Sequence, residues 1–275
     1  MTTTDAPAGT TAQPTDEPTI QPTTTGYVEH EGVRLYVETY GQGAPLVLLH
    51  GGMLSIDLDF ATLVPDLART RTVVGIELQG HGRTADTDRP VSYASHAGDV
   101  VAVLDSLGHE RATVLGHSMG AGTALELAVR HPDRVDAVVA VSGSVRKEGL
   151  HPDLGDPSVY ATSPIMPTAD DFAAMRAEYE RLSPHPERFD AFMLKLNEAQ
   201  EGFFAGWSDA ELAGVRCPVL FVQGDRDFTT VDHAALMLRL VAGSQLAVLP
   251  GTTHMDATRK PDLLLPVLHR FLDGL

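Results

Sequence analysis

Hydrophobic residues recur along this chain with two periods, and the two alternate. Val33, Leu35 and Val37 interleave with Arg34, Tyr36 and Glu38, the period-two pattern of a strand with one buried face. Gly41 and Gly43 then supply a turn. Short continuous apolar runs follow at Leu46 to Leu49, Thr72 to Ile76, Ala112 to Leu115, Ala137 to Val141, Val219 to Val222 and Leu246 to Leu249. Runs of that length suit strands buried on both faces. Between them lie helical patterns, such as Val100, Val103, Leu104 and Leu107 before Gly108, and Ala121, Ala124, Leu125 and Ala128 before Pro132. Strand alternating with helix predicts an α/β fold, a mostly parallel sheet flanked by helices, with ligands beyond the carboxyl ends of the strands.

The alternation breaks once. From Ser144 to Gly214 there is no strand signal, while Ala169 to Leu182 and Pro186 to Gly202 read as helices separated by Ser183-Pro184-His185-Pro186. This segment is expected to be an inserted helical cap over residues 144–214, with the core formed by 26–143 and 215–275. Its apolar residues include Phe172, Met175, Phe189, Phe192, Met193, Phe203, Phe204 and Trp207. They can pack the cap onto the core or line a substrate cavity. Phe172, Met175, Phe192, Met193, Phe203, Phe204 and Trp207 are the candidates for the second role.

Composition narrows the function classes. With 20 Lys and Arg against 37 Asp and Glu, the formal charge of −17 repels phosphate backbones and anionic membranes, so nucleic acid and membrane partners are not expected. Residues 1–25 are rich in Thr and Pro, carry three acids and no Lys or Arg, and contain no signal-peptide core, which predicts a disordered tail. No apolar run reaches the roughly 20 residues of a membrane span, and a cytoplasmic location is the expectation. Cys217 stands alone, which excludes an intramolecular disulfide and a cysteine-rich zinc site.

The chemistry concentrates in Gly116-His117-Ser118-Met119-Gly120, which joins a predicted strand to a predicted helix. A nucleophilic serine needs such a tight, strained turn to lift its hydroxyl clear of the sheet, and the flanking glycines remove steric conflict. The Met119 amide would open the helix, where a free N–H and the helix dipole can stabilise an oxyanion. A second donor is expected from His50-Gly51-Gly52-Met53, with Gly52 the first candidate and Met53 the second.

The chain resembles the α/β-hydrolase superfamily over residues 26–275, and particularly its small esterases, cofactor-free haloperoxidases and carbon-carbon hydrolases. The landmarks appear in family order: His50-Gly51-Gly52, Gly80-His81-Gly82-Arg83-Thr84, the serine pentapeptide, Gly224-Asp225-Arg226-Asp227 and Gly251-Thr252-Thr253-His254. The resemblance implies Ser118 as nucleophile and His254, among twelve histidines, as general base. It implies Asp227 as the acid, with Asp225 the alternative, and a structural role for His81. A serine where related dehalogenases and epoxide hydrolases carry an aspartate argues against both reactions. No cofactor or metal is implied. The expected function is hydrolysis of a carboxylic ester or similar small to moderate apolar acyl compound, with carbon-carbon cleavage, lactone opening and a non-catalytic ligand-sensing role as alternatives.

Overall fold

The computed structural model describes residues 20–275. Its strands are β1 (Thr24–His30), β2 (Val33–Tyr40), β3 (Ala44–Leu49), β4 (Arg71–Glu77), β5 (Ala112–His117), β6 (Val135–Val141), β7 (Val219–Arg226) and β8 (Gln245–Thr253). They form one sheet in the order β1-β2-β4-β3-β5-β6-β7-β8. The pairs β1/β2 and β2/β4 are antiparallel and all others are parallel.

The continuous apolar runs have a simple physical cause. On β3, Leu46 and Leu48 point into one hydrophobic layer while Val47 and Leu49 point into the other, and all four are fully buried. One layer is closed by α1 (Ile56–Phe60), α2 (Val64–Leu67) and α9 (Pro261–Leu272), through Phe60, Leu63, Leu67, Leu264, Leu268 and Phe271. The other is closed by α3 (Tyr93–Leu107), α4 (Met119–Arg130) and α8 (Val231–Leu240). Helix α3 begins in a Ser92/Ser95 capping box and stops at Gly108, whose φ of 73° is the left-handed conformation that ends helices cheaply.

Between β6 and β7 the chain leaves the sheet for α5 (Ala169–Leu182), α6 (Phe189–Phe204) and α7 (Asp209–Ala213). The limits of α5 coincide with the sequence periodicity because Thr168 and Asp171 form a capping box. Helix α6 starts at Phe189 rather than Pro186, since Pro186–Arg188 forms a separate 3₁₀ turn.

One expectation needs amendment at the N-terminus. Residues 1–19 of the expected tail lie outside the described residues, and Thr24 and Thr25, assigned to that tail, belong to β1. They are ordered because Thr24 and Thr25 pair with Thr39 and Glu38 of β2, a register that no local apolar pattern announces. Among the described residues no helix is long and apolar enough to cross a membrane.

Since β3 and β5 to β8 run parallel, their carboxyl ends share one edge of the sheet. Gly51 to Met53, Ser118, Ser142, Asp227 and His254 follow β3, β5, β6, β7 and β8 in turn, and so reach a common place from five separate positions in the sequence.

Candidate active site

Ser118 sits in the sharp turn from β5 into α4 with φ 53° and ψ −111°. This is a strained conformation for a residue with a side chain. The turn is possible only because its flanks are bare. A Cβ on Gly116 would lie 2.1 Å from the Gly120 carbonyl oxygen, and one on Gly120 would lie 1.9 Å from the Leu49 carbonyl oxygen. Backbone hydrogen bonds from Ser118 N–H to Val141 (2.9 Å) and from Gly122 N–H to Ser118 (3.1 Å) hold it there.

The Ser118 hydroxyl lies 2.9 Å from His254 Nε2, and His254 Nδ1 lies 2.7 Å from Asp227 Oδ1. Nδ1 faces a carboxylate and therefore carries the proton and donates it, which leaves the Nε2 lone pair to accept from the serine hydroxyl. The Phe228 ring stacks on His254, with centroids 3.9 Å apart and planes 10° apart, and fixes the imidazole from its face.

Of the two aspartates, Asp227 reaches His254 and Asp225 does not. Asp227 is 3% exposed and also accepts from the Phe228 N–H (2.6 Å), the Ser142 hydroxyl (2.5 Å) and the Gly224 N–H (3.2 Å). Asp225 is exposed and accepts the Thr252 N–H at 3.1 Å, a turn contact. Burial on its own would raise the Asp227 carboxyl, but His254 and the donors around it hold it below its ordinary value of 3.8. Ser142 and Phe228 were not identifiable in the sequence, since each acts only through a neighbour on another strand or ring.

A group whose folded value is depressed stabilises the fold fully above its unfolded value and loses that contribution as pH falls through the folded value. The melting temperature should therefore hold from neutrality to about pH 5 and drop below about pH 4, less steeply in Asp227→Asn than in the parent. Equal steepness in thermal scans of the two proteins would assign the acid sensitivity to other carboxylates.

The Met119 N–H opens α4 and so has no acceptor within the helix. Gly52 and Met53 are the central pair of a turn closed by Leu54 N–H to Gly51 (3.2 Å), and their amides make no hydrogen bond among the described residues. A Cβ on Gly52 would meet open space, while Met53 holds φ 62° and is buried. His81, in contrast, is buried and its Nδ1 donates to the Gln79 carbonyl at 3.0 Å, a structural use.

Comparison with known proteins identifies the family of the fold. A family model described as the alpha/beta hydrolase fold matches residues 44–162. The dihydrolipoyllysine-residue acetyltransferase component of the acetoin cleaving system of Cupriavidus necator is 30% identical over 261 residues, spanning 90% of this chain and 69% of that protein. The chain belongs to the α/β-hydrolase superfamily. Esterase YbfF of Escherichia coli is 24% identical to this α/β-hydrolase over 243 residues, 84% of this chain and 93% of that one. The solved structure of Est816, described as an N-acyl homoserine lactone degrading enzyme, superposes with a TM-score of 0.74 at 28% identity, covering 89% of this chain and 99% of that one.

The cap side chains of this hydrolase divide by what they touch. Phe192 wedges into a notch at Gly80, where a Cβ would lie 2.1 Å from its ring, and meets His81 edge-on at 5.0 Å. Phe203 lies 4.6 Å from Tyr93, and Trp207 stacks on Tyr93 at 5.6 Å while donating from Nε1 to Glu126 (2.6 Å). All three side chains are buried, and Trp207 also borders a cavity that it shares with Ser92, Tyr93 and Glu126. Phe172 is 48% exposed on α5. Met175 is buried, and Met193 and Phe204 are half-buried.

Phe192→Ala should accordingly cost about 3–5 kcal/mol of stability, as expected for a fully buried ring whose site cannot collapse. Urea unfolding reads this directly. A loss below about 1 kcal/mol would show that the ring packs little and would favour a cavity-lining role for Phe192.

Proposed function

We propose that this α/β-hydrolase is a serine hydrolase that cleaves a carboxylic ester, or a similarly activated small to moderate acyl compound, through an acyl-enzyme. The observation that carries the reading is the unbroken hydrogen-bonded line from Ser118 Oγ through the His254 ring to Asp227, set at a strained glycine-flanked turn. His254 Nε2 takes the serine proton as Oγ attacks the acyl carbonyl, and the new oxyanion is met by the Met119 amide and that of Gly52, with Met53 the alternative. His254 then protonates the leaving alcohol. Water, deprotonated by the same nitrogen, attacks the acyl carbon and releases Ser118. Asp227 holds the tautomer and stabilises the imidazolium throughout.

The buried residues next to this line in the sequence favour an apolar acyl group. Met53, Met119 and Met255 each adjoin a residue proposed for the mechanism, all three are buried, and all three share one hydrophobic cluster with Met175 of the cap. Methionine adapts to irregular apolar shapes, so a tolerant acyl site is the expectation. Lactone opening is the second reading. Its support is the likeness to Est816, and it uses the same steps because a lactone is an internal ester.

A fluorophosphonate probe, with mass spectrometry of the modified peptide, and a panel of nitrophenyl esters and lactones of graded chain length test both readings. Labelling at Ser118 with turnover of at least one substrate is expected. Labelling without turnover across the panel would favour a ligand-sensing role, and absence of labelling in folded protein would sink the serine mechanism.

A further inference from the structure

A second histidine and a second aspartate stand behind the first pair. His117, the residue before Ser118, is 1% exposed; its Nδ1 lies 2.9 Å from Asp59 Oδ2 and its Nε2 lies 3.1 Å from the His254 carbonyl oxygen. Both partners are acceptors, one a carboxylate and the other a carbonyl. Both ring nitrogens must then carry protons, which makes His117 an imidazolium and Asp59 its buried counter-ion.

Asp59, on α1 and 1% exposed, gathers more than that ring. It accepts the Gly51 N–H at 2.8 Å and the Thr258 hydroxyl at 2.6 Å. One carboxylate thus joins the loop after β3, the turn bearing Ser118, and the segment bearing His254. The fit is close, since a Cβ on Gly51 would lie 3.1 Å from His117 Nδ1 and 3.4 Å from the Ser118 Cβ. A buried ion pair is often no more stabilising than apolar side chains of the same volume, so stability alone does not account for charges at this position.

We propose that Asp59 and His117 are positioning residues, a buried charge pair that locks the oxyanion loop, the nucleophile turn and the His254 loop into one register; this role rests on the serine-hydrolase reading above. Misplacing a reacting group by about 1 Å costs roughly a hundredfold in rate, and this pair fixes three of the groups at once. Burial alone would lower the His117 ring, but Asp59 beside it, with Asp227 beyond, raises it above its ordinary value of 6.5. The other titratable rings nearby are His254, with its centroid 5.2 Å away, and His50. The pair is neutral as a whole, and breaking it on one side leaves a net charge near His254.

The first test needs no activity. Nitrogen-15 NMR of histidine-labelled protein should find both His117 ring nitrogens protonated at pH 7, and a neutral tautomer there would overturn the proposal. In the second, Asp59→Asn should lower both kcat and the fluorophosphonate labelling rate roughly a hundredfold, with KM on a short ester within about threefold. His117→Gln leaves the Asp59 carboxylate unpaired near His254, so the acid limb of kcat/KM should move up by about one pH unit, a change that simple loosening would not produce. Should Asp59→Asn fail to fold, Thr258→Val, which keeps shape and removes one donor, carries the test and should lose several-fold in labelling rate. Folded variants that label within about threefold of the parent overturn the role. A parent protein that does not label sinks the hydrolase reading and this role with it, while the NMR result still decides whether the charge pair exists.

Discussion

Ser118→Ala is expected to lower ester turnover by on the order of a millionfold, the loss seen when the nucleophile of a triad is removed. Fluorophosphonate labelling should vanish with it. The fold should survive, because alanine makes the same demand at φ 53° as serine does and the glycines at 116 and 120 still clear the turn. The lost hydroxyl has one side-chain partner, His254 Nε2, and that nitrogen then keeps a lone pair at a partly buried site, so stability should change by less than about 1.5 kcal/mol. Thermal unfolding and a nitrophenyl ester assay on the same preparation separate the two effects. Turnover within tenfold of the parent, in protein that melts normally, would remove Ser118 from the mechanism.

Much of the fold was legible because its causes are local. Strands β3 to β7 announce themselves as apolar runs since both of their faces meet helices, and α5 announces both ends through its period and its Thr168 cap. Strand β1 was not legible: it has an edge position, an exposed pattern and apolar residues only at Tyr27 and Val28, so its order comes from pairing with β2. Short helices α1 and α2 fell below the length at which a period can be read.

The site divides along the same line. The Gly116 to Gly120 turn is a steric problem solved within five residues, and its solution is written there. Asp59 reaches across 58 residues to His117, Ser142 across 85 to Asp227, and His117 across 137 to the His254 carbonyl. No local pattern encodes such contacts, which exist only because parallel strands deliver their loops to one edge. The cap aromatics are ambiguous for a different reason. A buried Phe or Trp has the same sequence signature whether it faces a core or a cavity, and contacts such as Gly80, bare beneath Phe192, and Tyr93, stacked on Trp207, come only from the fold.

The acid of the proposed triad gives the sharpest contrast between neighbours two residues apart. Asp227 touches His254 Nδ1 at 2.7 Å, is itself held by three donors, and is buried, so its charge acts on the ring with little screening. An amide at 227 can offer its NH₂ to Nδ1, which would turn the tautomer over, put the proton on Nε2 and leave no lone pair for the serine hydroxyl. Asp227→Asn should therefore lose on the order of 10⁴ in turnover at neutral pH, going by the same exchange in other triads. Asp225 is exposed and accepts one backbone N–H from Thr252 at 3.1 Å, a contact an asparagine oxygen can keep. Losing it altogether removes one part-buried hydrogen bond that does not touch His254, so Asp225→Asn should cost no more than about tenfold. Steady-state turnover of one nitrophenyl ester by the two variants, each checked for cooperative unfolding, measures the contrast. A larger loss at 225 than at 227 would mean that the His254 loop turns toward Asp225 when substrate binds, and the acid would have to be reassigned.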